Sequence, residues 1–405
     1  MDFLKLLVIF IVILTMLVLK QKLWVALFAS ILLACVLFQI PPLAACSTVI
    51  HSVTSSSTIS LVCSLYIVTY LTRMLDHRSL LNQAEYSLNL LFHNRRLTCM
   101  LAPFFVGLVP SAAAIYMSGK IVNSSCGDYL NQEEKTFVTT FFRHLPEAFL
   151  PTYASILLAL QLSGVSIRSF LICMLPTILF LILLGYLFYL RKVPKELPNA
   201  EAGMKSSAIK LLLNSLWTIL LSIILIIALH LPVYAAISIV IVFAVFYYHF
   251  SFQELVSLIP PAFESNIIIS TFFCMIFKDI LTYTDIIQKL PELFAQLPIP
   301  TYLAFAAIFF TGALIGGTTA ILALCLPLAY SSIPDGGTAL LVLLMSFSYA
   351  ASQMTPTHIC LLLATEYFGI SFTALLKRTL PIIILYCLFV VGYFNLLMLV
   401  SHSFH

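Results

Sequence analysis

The chain has 405 residues, 61% of them hydrophobic and only 9% charged, with a formal net charge of +4. Soluble domains carry about 25% charged residues, so this composition excludes a soluble enzyme or a nucleic-acid binder and points to a polytopic membrane protein. Apolar runs of roughly 20 residues, long enough to cross a hydrocarbon core about 30 Å thick, recur from one end to the other.

The opening run, 3–19, reads as a first helix and not a cleaved leader, because Lys20 and Lys22 follow it without a small-residue cleavage site. Spans at 23–40 and 48–71 come next. Leu43-Ala44-Ala45-Cys46 has the look of a lipoprotein cleavage box, but it follows two spans and is read as coincidence. The third span opens with His51 and Thr54-Ser55-Ser56-Ser57-Thr58, hydroxyls that suit either a pore lining or a solvated helix entrance. Residues 80–92 set Asn82, Gln83, Glu85 and Asn89 among leucines, which predicts a helix along the cytoplasmic interface.

Two runs too short to cross follow, meeting at Pro110, Ser111, Ala112 and Ala113. They predict a re-entrant hairpin over 97–122. The next span, 134–164, carries RHLPEAFLPT from Arg143 to Thr152. Arg143 falls about 13 Å into it at 1.5 Å per residue, and Pro146 and Pro151 break its hydrogen-bond ladder on either side of Glu147. A span at 168–190 and a Pro, Lys and Glu-rich linker at 191–207 close the first half.

The second half repeats the plan: spans at 209–229, 233–250 and 262–277, an amphipathic stretch at 279–296, and a hairpin over 300–330 with its tip at Gly316, Gly317, Thr318 and Thr319. A broken helix over 338–367 contains Gln353, Thr355, Pro356, Thr357 and His358, and a last span covers 372–400. The two halves align at one constant offset of 205, which superposes Gly107 on Gly312, Pro151 and Thr152 on Pro356 and Thr357, Gly164 on Gly369, Ser166 on Ser371 and Pro176 on Pro381. Each half has an odd number of crossings, so the prediction is an inverted-topology repeat with halves 1–190 and 208–405, about ten transmembrane helices and two re-entrant hairpins. With both termini outside, all lysines and arginines fall on the cytoplasmic side except Lys5, Arg168, Lys278 and Lys289, with Arg143 inside the membrane, as the positive-inside rule requires.

Irregular backbone inside a bilayer is tolerated only where it is buried or lines a wet cavity. The two tips and the two breaks are therefore predicted to converge on one binding site. The substrate-binding candidates are Pro110, Ser111, Ala112, Ala113, Arg143, Thr152, Gly316, Gly317, Thr318, Thr319, Gln353, Thr355 and Thr357. A midplane arginine costs at least about 2.5–3.5 kcal/mol unless compensated. Two readings of Arg143 stand side by side: an ion pair with Glu147, or a cavity-facing ligand for an anion. Glu147, His144 and His358 are the candidates for ion coupling. The ten cysteines form no CxxC and no metal spacing with histidine, so they read as small buried hydrophobes, and no metal, cofactor or catalytic residue is expected. Nucleotide-binding and hydrolase motifs are missing from the sequence, so an enzyme is not expected.

FFRHLPEAFLPT at 141–152, VPSAAA from Val109, and MTPTHICLLLATEYF at 354–368 resemble a prokaryotic integral membrane family, the domain-of-unknown-function 401 family, over nearly the whole chain. That family looks like a branch of the ion transporter superfamily, which includes citrate, dicarboxylate, gluconate and arsenite permeases. The resemblance implies a scaffold domain, a mobile domain of hairpins and broken helices, elevator-type movement and a dimer. The Ser-Asn-Thr tips of the sodium-coupled dicarboxylate members are absent. The expected function is a secondary transporter of a small organic anion in the cytoplasmic membrane, coupled to protons or sodium. Its partners would be the anionic solute, the coupling ion, the bilayer and a second copy, and no nucleic acid. A cation/proton exchanger and a lipid-headgroup translocase are the alternatives.

Overall fold

The computed structural model describes residues 2–80, 83, 87, 94–108, 114–195, 205–285, 298–356 and 358–403. All regular elements among them are helical. The first half contains α1 (Asp2–Val18), α2 (Leu23–Leu37), α3 (Pro42–Thr54), α4 (Ser56–His77), α5 (Arg95–Val106), α6 (Ala114–Cys126), α7 (Gln132–His144), α8 (Ala154–Ser163) and α9 (Ile167–Phe188). The second half contains α10 (Lys205–Ala228), α11 (Val233–Tyr247), α12 (Phe252–Ala262), α13 (Ser265–Tyr283), α14 (Thr301–Gly316), α15 (Thr318–Ser332), α16 (Gly337–Ser352), α17 (Ile359–Phe368) and α18 (Phe372–Ser403).

Among the described residues, five helices are long and apolar enough to span a membrane, or six if the bent pair Thr318–Ser332 and Pro334–Ser352 is one span. Several of the other expected spans are shorter: α1, α2 and α11 have 17, 15 and 15 residues. The span expected at 48–71 is interrupted at Ser55, whose side chain accepts from the Thr58 amide and caps α4. The hydroxyl run is thus a helix N-terminus in the middle of the stretch. Exposed apolar stripes identify the lipid-facing sides. On α9, Ile172, Leu175, Leu179 and Leu183 are exposed, whereas Phe170, Met174, Leu181 and Leu184 are buried. A helix whose outer face is as apolar as its inner one is at home in lipid.

The helices pack in two sets. One combines α1–α4 with α10–α13, through α2 on α13, α4 on α11 and α12, and α3 on α13. The other combines α5–α9 with α14–α18, through α5 and α6 on α7, α14 on α16, α7 on α17 and α18, and α9 on α16. The principal contacts between the sets are α4 on α8, α13 on α15 and α1 on α14. Within the second set the 205 offset persists in detail. Ala154–Ser163 and Ile359–Phe368 coincide under it, and each ends at a left-handed glycine, Gly164 (φ 69°) and Gly369 (φ 66°). Only glycine adopts that conformation without a Cβ penalty, which is why both helices stop there.

Candidate functional site

Helix α7 is the axis of the second set: from Glu134 to His144 every residue is buried. Its polar start is satisfied by a capping box between Asn131 and Glu134, by Lys192 on Glu134 at 2.5 Å and by Arg378 on Glu133 at 2.8 Å. Further in, the Thr136, Thr139 and Thr140 hydroxyls donate to carbonyls one turn back, so a buried helix carries threonines at little cost. The helix stops at His144 because Pro146 lacks an N–H and cannot continue the ladder. Leu145–Ala148 forms a 3-10 turn in its place.

That turn decides where Glu147 points. In an α-helix, residues four apart lie about 40° from eclipse and pair readily, whereas 3.0 residues per turn opens the angle to about 120°. Arg143 and Glu147 accordingly form no ion pair among the described residues. Glu147 Oε2 lies 3.9 Å from His358 Nε2. Arg143, 3% exposed, donates from Nη1 toward Cys360 Sγ at 3.7 Å. The imidazoles of His144 and His358 lie 4.5 Å apart between centroids. His358 is the N-cap of α17, and its Nδ1 is 3.1 Å from the Ser352 carbonyl. Backbone closure around the break is tight. The Tyr153 hydroxyl donates to the Gly107 carbonyl at 2.5 Å, and a Cβ on Gly107 would collide with the Arg143 carbonyl.

A cavity of about 430 Å³ opens where the two helix sets meet. It is lined by Thr69, Thr72, Arg73 and Asp76 of α4, Glu147, Thr152, Tyr153 and Ser155 of the break, Glu264 before α13, and Thr319 at the start of α15. Arg73 and Glu264 pair across it at 3.2 Å. Of the sequence candidates, Glu147, Thr152 and Thr319 line this cavity. Arg143, His144, Gln353 and Thr355 are buried behind it, with Thr355 donating to the Leu314 carbonyl at 2.9 Å and Gln353 to Ser352 Oγ at 3.0 Å. Gly316 ends α14, and Gly317, at φ 83°, turns the chain into α15 at Thr318. Pro110, Ser111, Ala112, Ala113 and Thr357 lie outside the described residues.

Sequence reasoning counted Arg73 only among the cytoplasmic cations and offered neither Asp76 nor Glu264 as a site residue. Two signals pointed to them. Arg73 and Asp76 are a base and an acid three apart near the end of a membrane-length helix, and Glu264 follows Pro260-Pro261. Cys360 was passed over because its neighbours in space, Arg143 and His144, are far away in sequence.

Fold and site together define a polytopic membrane protein, helical throughout its described residues, in which the break between α7 and α8 lines a charged cavity. The chain matches the model of one family, described as "Protein of unknown function (DUF401)", over residues 3–398, and it belongs to that family. No curated protein matches the chain. Among solved structures, the crystal structure of the YdaH transporter of Alcanivorax borkumensis is similar at 14% identity, covering 90% of each chain with a TM-score of 0.47.

Proposed function

We propose that the protein is a secondary transporter that works by alternating access, with its binding site in the cavity between the two helix sets. The observation that carries this reading is the lining itself. Asp76, Glu147 and Glu264 face one guanidinium, Arg73, which Glu264 already engages. Of the three, Glu147 sits deepest, at the break in the second helix set, and an acidic group in a membrane interior is costly and is kept where ions pass. The excess of carboxylates favours protons and cations over the small organic anion expected from Arg143, which lies behind the cavity. The exchanger alternative is therefore the preferred form, with Glu147 and Asp76 as the ion-coupling groups. In this reading the set of broken helices moves against the other set in an elevator-like shift, and the two halves are the inverted repeats of an ion-transporter-superfamily plan.

Reconstituted protein in vesicles with an internal pH dye tests this. An imposed sodium or potassium gradient should drive proton movement that is abolished in Glu147→Gln and strongly reduced in Asp76→Asn. Flux that depends on an added carboxylate and survives Glu147→Gln would restore the anion reading. Silence under all gradients would remove transport from consideration.

A further inference from the structure

We propose that His144, His358 and Cys360 form a binding site for a divalent transition-metal ion of the zinc class. The ligand atoms of these three side chains all lie within 4.8 Å of one another, two of the residues being buried and the third half-buried. Zinc binds imidazole nitrogen at about 2.0–2.1 Å and thiolate at about 2.3 Å, so its ligands stand about 3.3–3.7 Å apart, a closure of about 1 Å from the present spacing. Side-chain rotation supplies a movement of that size.

The histidines are set up for the task in different ways. A carbonyl oxygen only accepts, so the 3.1 Å contact with Ser352 O keeps a proton on His358 Nδ1, and Nε2, which faces Glu147, is freed as a ligand when any proton it holds leaves to solvent on metal binding. A ring held through its other nitrogen by a backbone carbonyl is the usual outer support of a metal-binding histidine. His144 is 1% exposed, and neither of its ring nitrogens has a hydrogen-bond partner among the described residues. Gln353, the neighbouring amide, donates to Ser352 Oγ. The Gln353 side chain and the Thr140 backbone are its polar neighbours, and a buried imidazole whose ring nitrogens make no well-formed hydrogen bond to them has a lone pair that an ion in the cluster can take up.

Charge and access also fit. The Cys360 thiol gives up its proton when the metal–sulfur bond forms, and that proton leaves to solvent. The thiolate and the Glu147 carboxylate, 3.9 Å from His358 Nε2, together match a divalent charge, and Arg143 remains hydrogen-bonded to the sulfur. Glu147 also lines the cavity, which gives the ion a route in and a fourth, oxygen ligand. Two imidazoles and a thiolate select zinc, cobalt or copper over magnesium and calcium. Because His144 ends α7 and the other two begin α17, the ion would pin the two breaks together.

The test is a cobalt(II) titration of the purified, chelator-stripped full chain in detergent. One equivalent should produce a near-ultraviolet thiolate-to-cobalt charge-transfer band, and zinc should displace it. The band should vanish in Cys360→Ser, and affinity should fall by roughly tenfold to a hundredfold or more in His144→Ala and in His358→Gln. It should persist in Cys99→Ser/Cys126→Ser, which removes the buried thiol pair 2.8 Å apart between α5 and α6. A missing band in the wild-type protein, or one that survives Cys360→Ser, overturns the proposal. Size-exclusion profiles identify any variant that fails to fold, and His144→Ala then carries the decision. Binding is read without flux, so this result is independent of whether the protein transports protons.

Discussion

The break between α7 and α8 and the break between α16 and α17 occupy equivalent places in the two halves, yet they do different things. Under the 205 offset, His144 corresponds to Tyr349, Glu147 to Ser352 and Tyr153 to His358. The first helix stops at His144, but its counterpart continues to Ser352, the equivalent of Glu147. The cause is one residue: Pro146 stands where the second half has Ala351. The early stop turns Glu147 toward the cavity, whereas the longer α16 keeps Tyr349 and Ser352 buried and lets the Ser352 carbonyl hold His358. Small differences in where a helix ends thus separate the two breaks, with a cavity-facing carboxylate at the first and a backbone-held imidazole at the second.

Exchanging the two residues should have the largest effect. Ala351→Pro removes an N–H from the last turn of α16 and drives a ring toward the carbonyl of Phe347, costing about 3 kcal/mol or more. Thermal unfolding in detergent should show the loss directly. Pro146→Ala should leave stability nearly unchanged but let α7 run on, carrying Glu147 out of the cavity and abolishing proton flux. Retained flux in Pro146→Ala would mean that the turn does not position Glu147.

Glycines at equivalent places give the next largest contrast. An added Cβ at Gly107 meets the backbone carbonyl of Arg143, while one at Gly312 meets the tip of the Ile321 side chain. Backbone cannot give way as a side chain can. Gly107→Ala should destabilise by about 1–3 kcal/mol, as overpacking does, and Gly312→Ala by clearly less. The hydrogen bonds that close the two breaks come next. Tyr153→Phe strips the donor from the Gly107 carbonyl, and Thr355→Val strips it from Leu314, each at about 1 kcal/mol. Only Tyr153→Phe should also slow transport, because Tyr153 alone of the two lines the cavity.

Much of this was legible in the sequence, and the reasons differ between fold and site. Prolines act locally, so Pro146 and Pro151 announced a break without any knowledge of packing, whereas Gly164 and Gly369 were matched only to one another and the structure adds that each caps a helix. The sequence match at an offset of 205 rests on the same residue types, since these punctuating residues recur at one spacing. Partners of a buried charge are set by which helix faces touch, and no local rule gives that. The contact of α7 with α17 replaces the Arg143–Glu147 pair by Arg143–Cys360 and Glu147–His358. Arg73 and Asp76 were hidden because a charge near the end of an apolar run reads first as a topology signal, and only the packing of α4 against α8 brings them to the wall of the cavity.

The smallest expected effect lies outside the apolar spans, at the start of α12, and again separates the halves. In the second half Ser251 and Glu254 form a capping box, and His77 and Arg78 at the end of α4 approach the same carboxylate at 3.3 and 3.1 Å. The Ser251 amide and hydroxyl, helped by His77 and Arg78, hold Glu254 down at about 2 from an ordinary value near 4.5. The corresponding helix in the first half, α3, starts after Pro41 with no side-chain cap. A carboxylate lowered in the folded state contributes stability that is fully present above its unfolded value and is lost as pH falls through the folded one. Thermal midpoints should therefore decline between about pH 4.5 and pH 2. Ser251→Ala removes the capping hydroxyl but leaves its amide, so it should raise Glu254 partway and shift the decline to higher pH. An acid profile identical in wild type and Ser251→Ala would show that the α4–α12 junction does not depend on this cap.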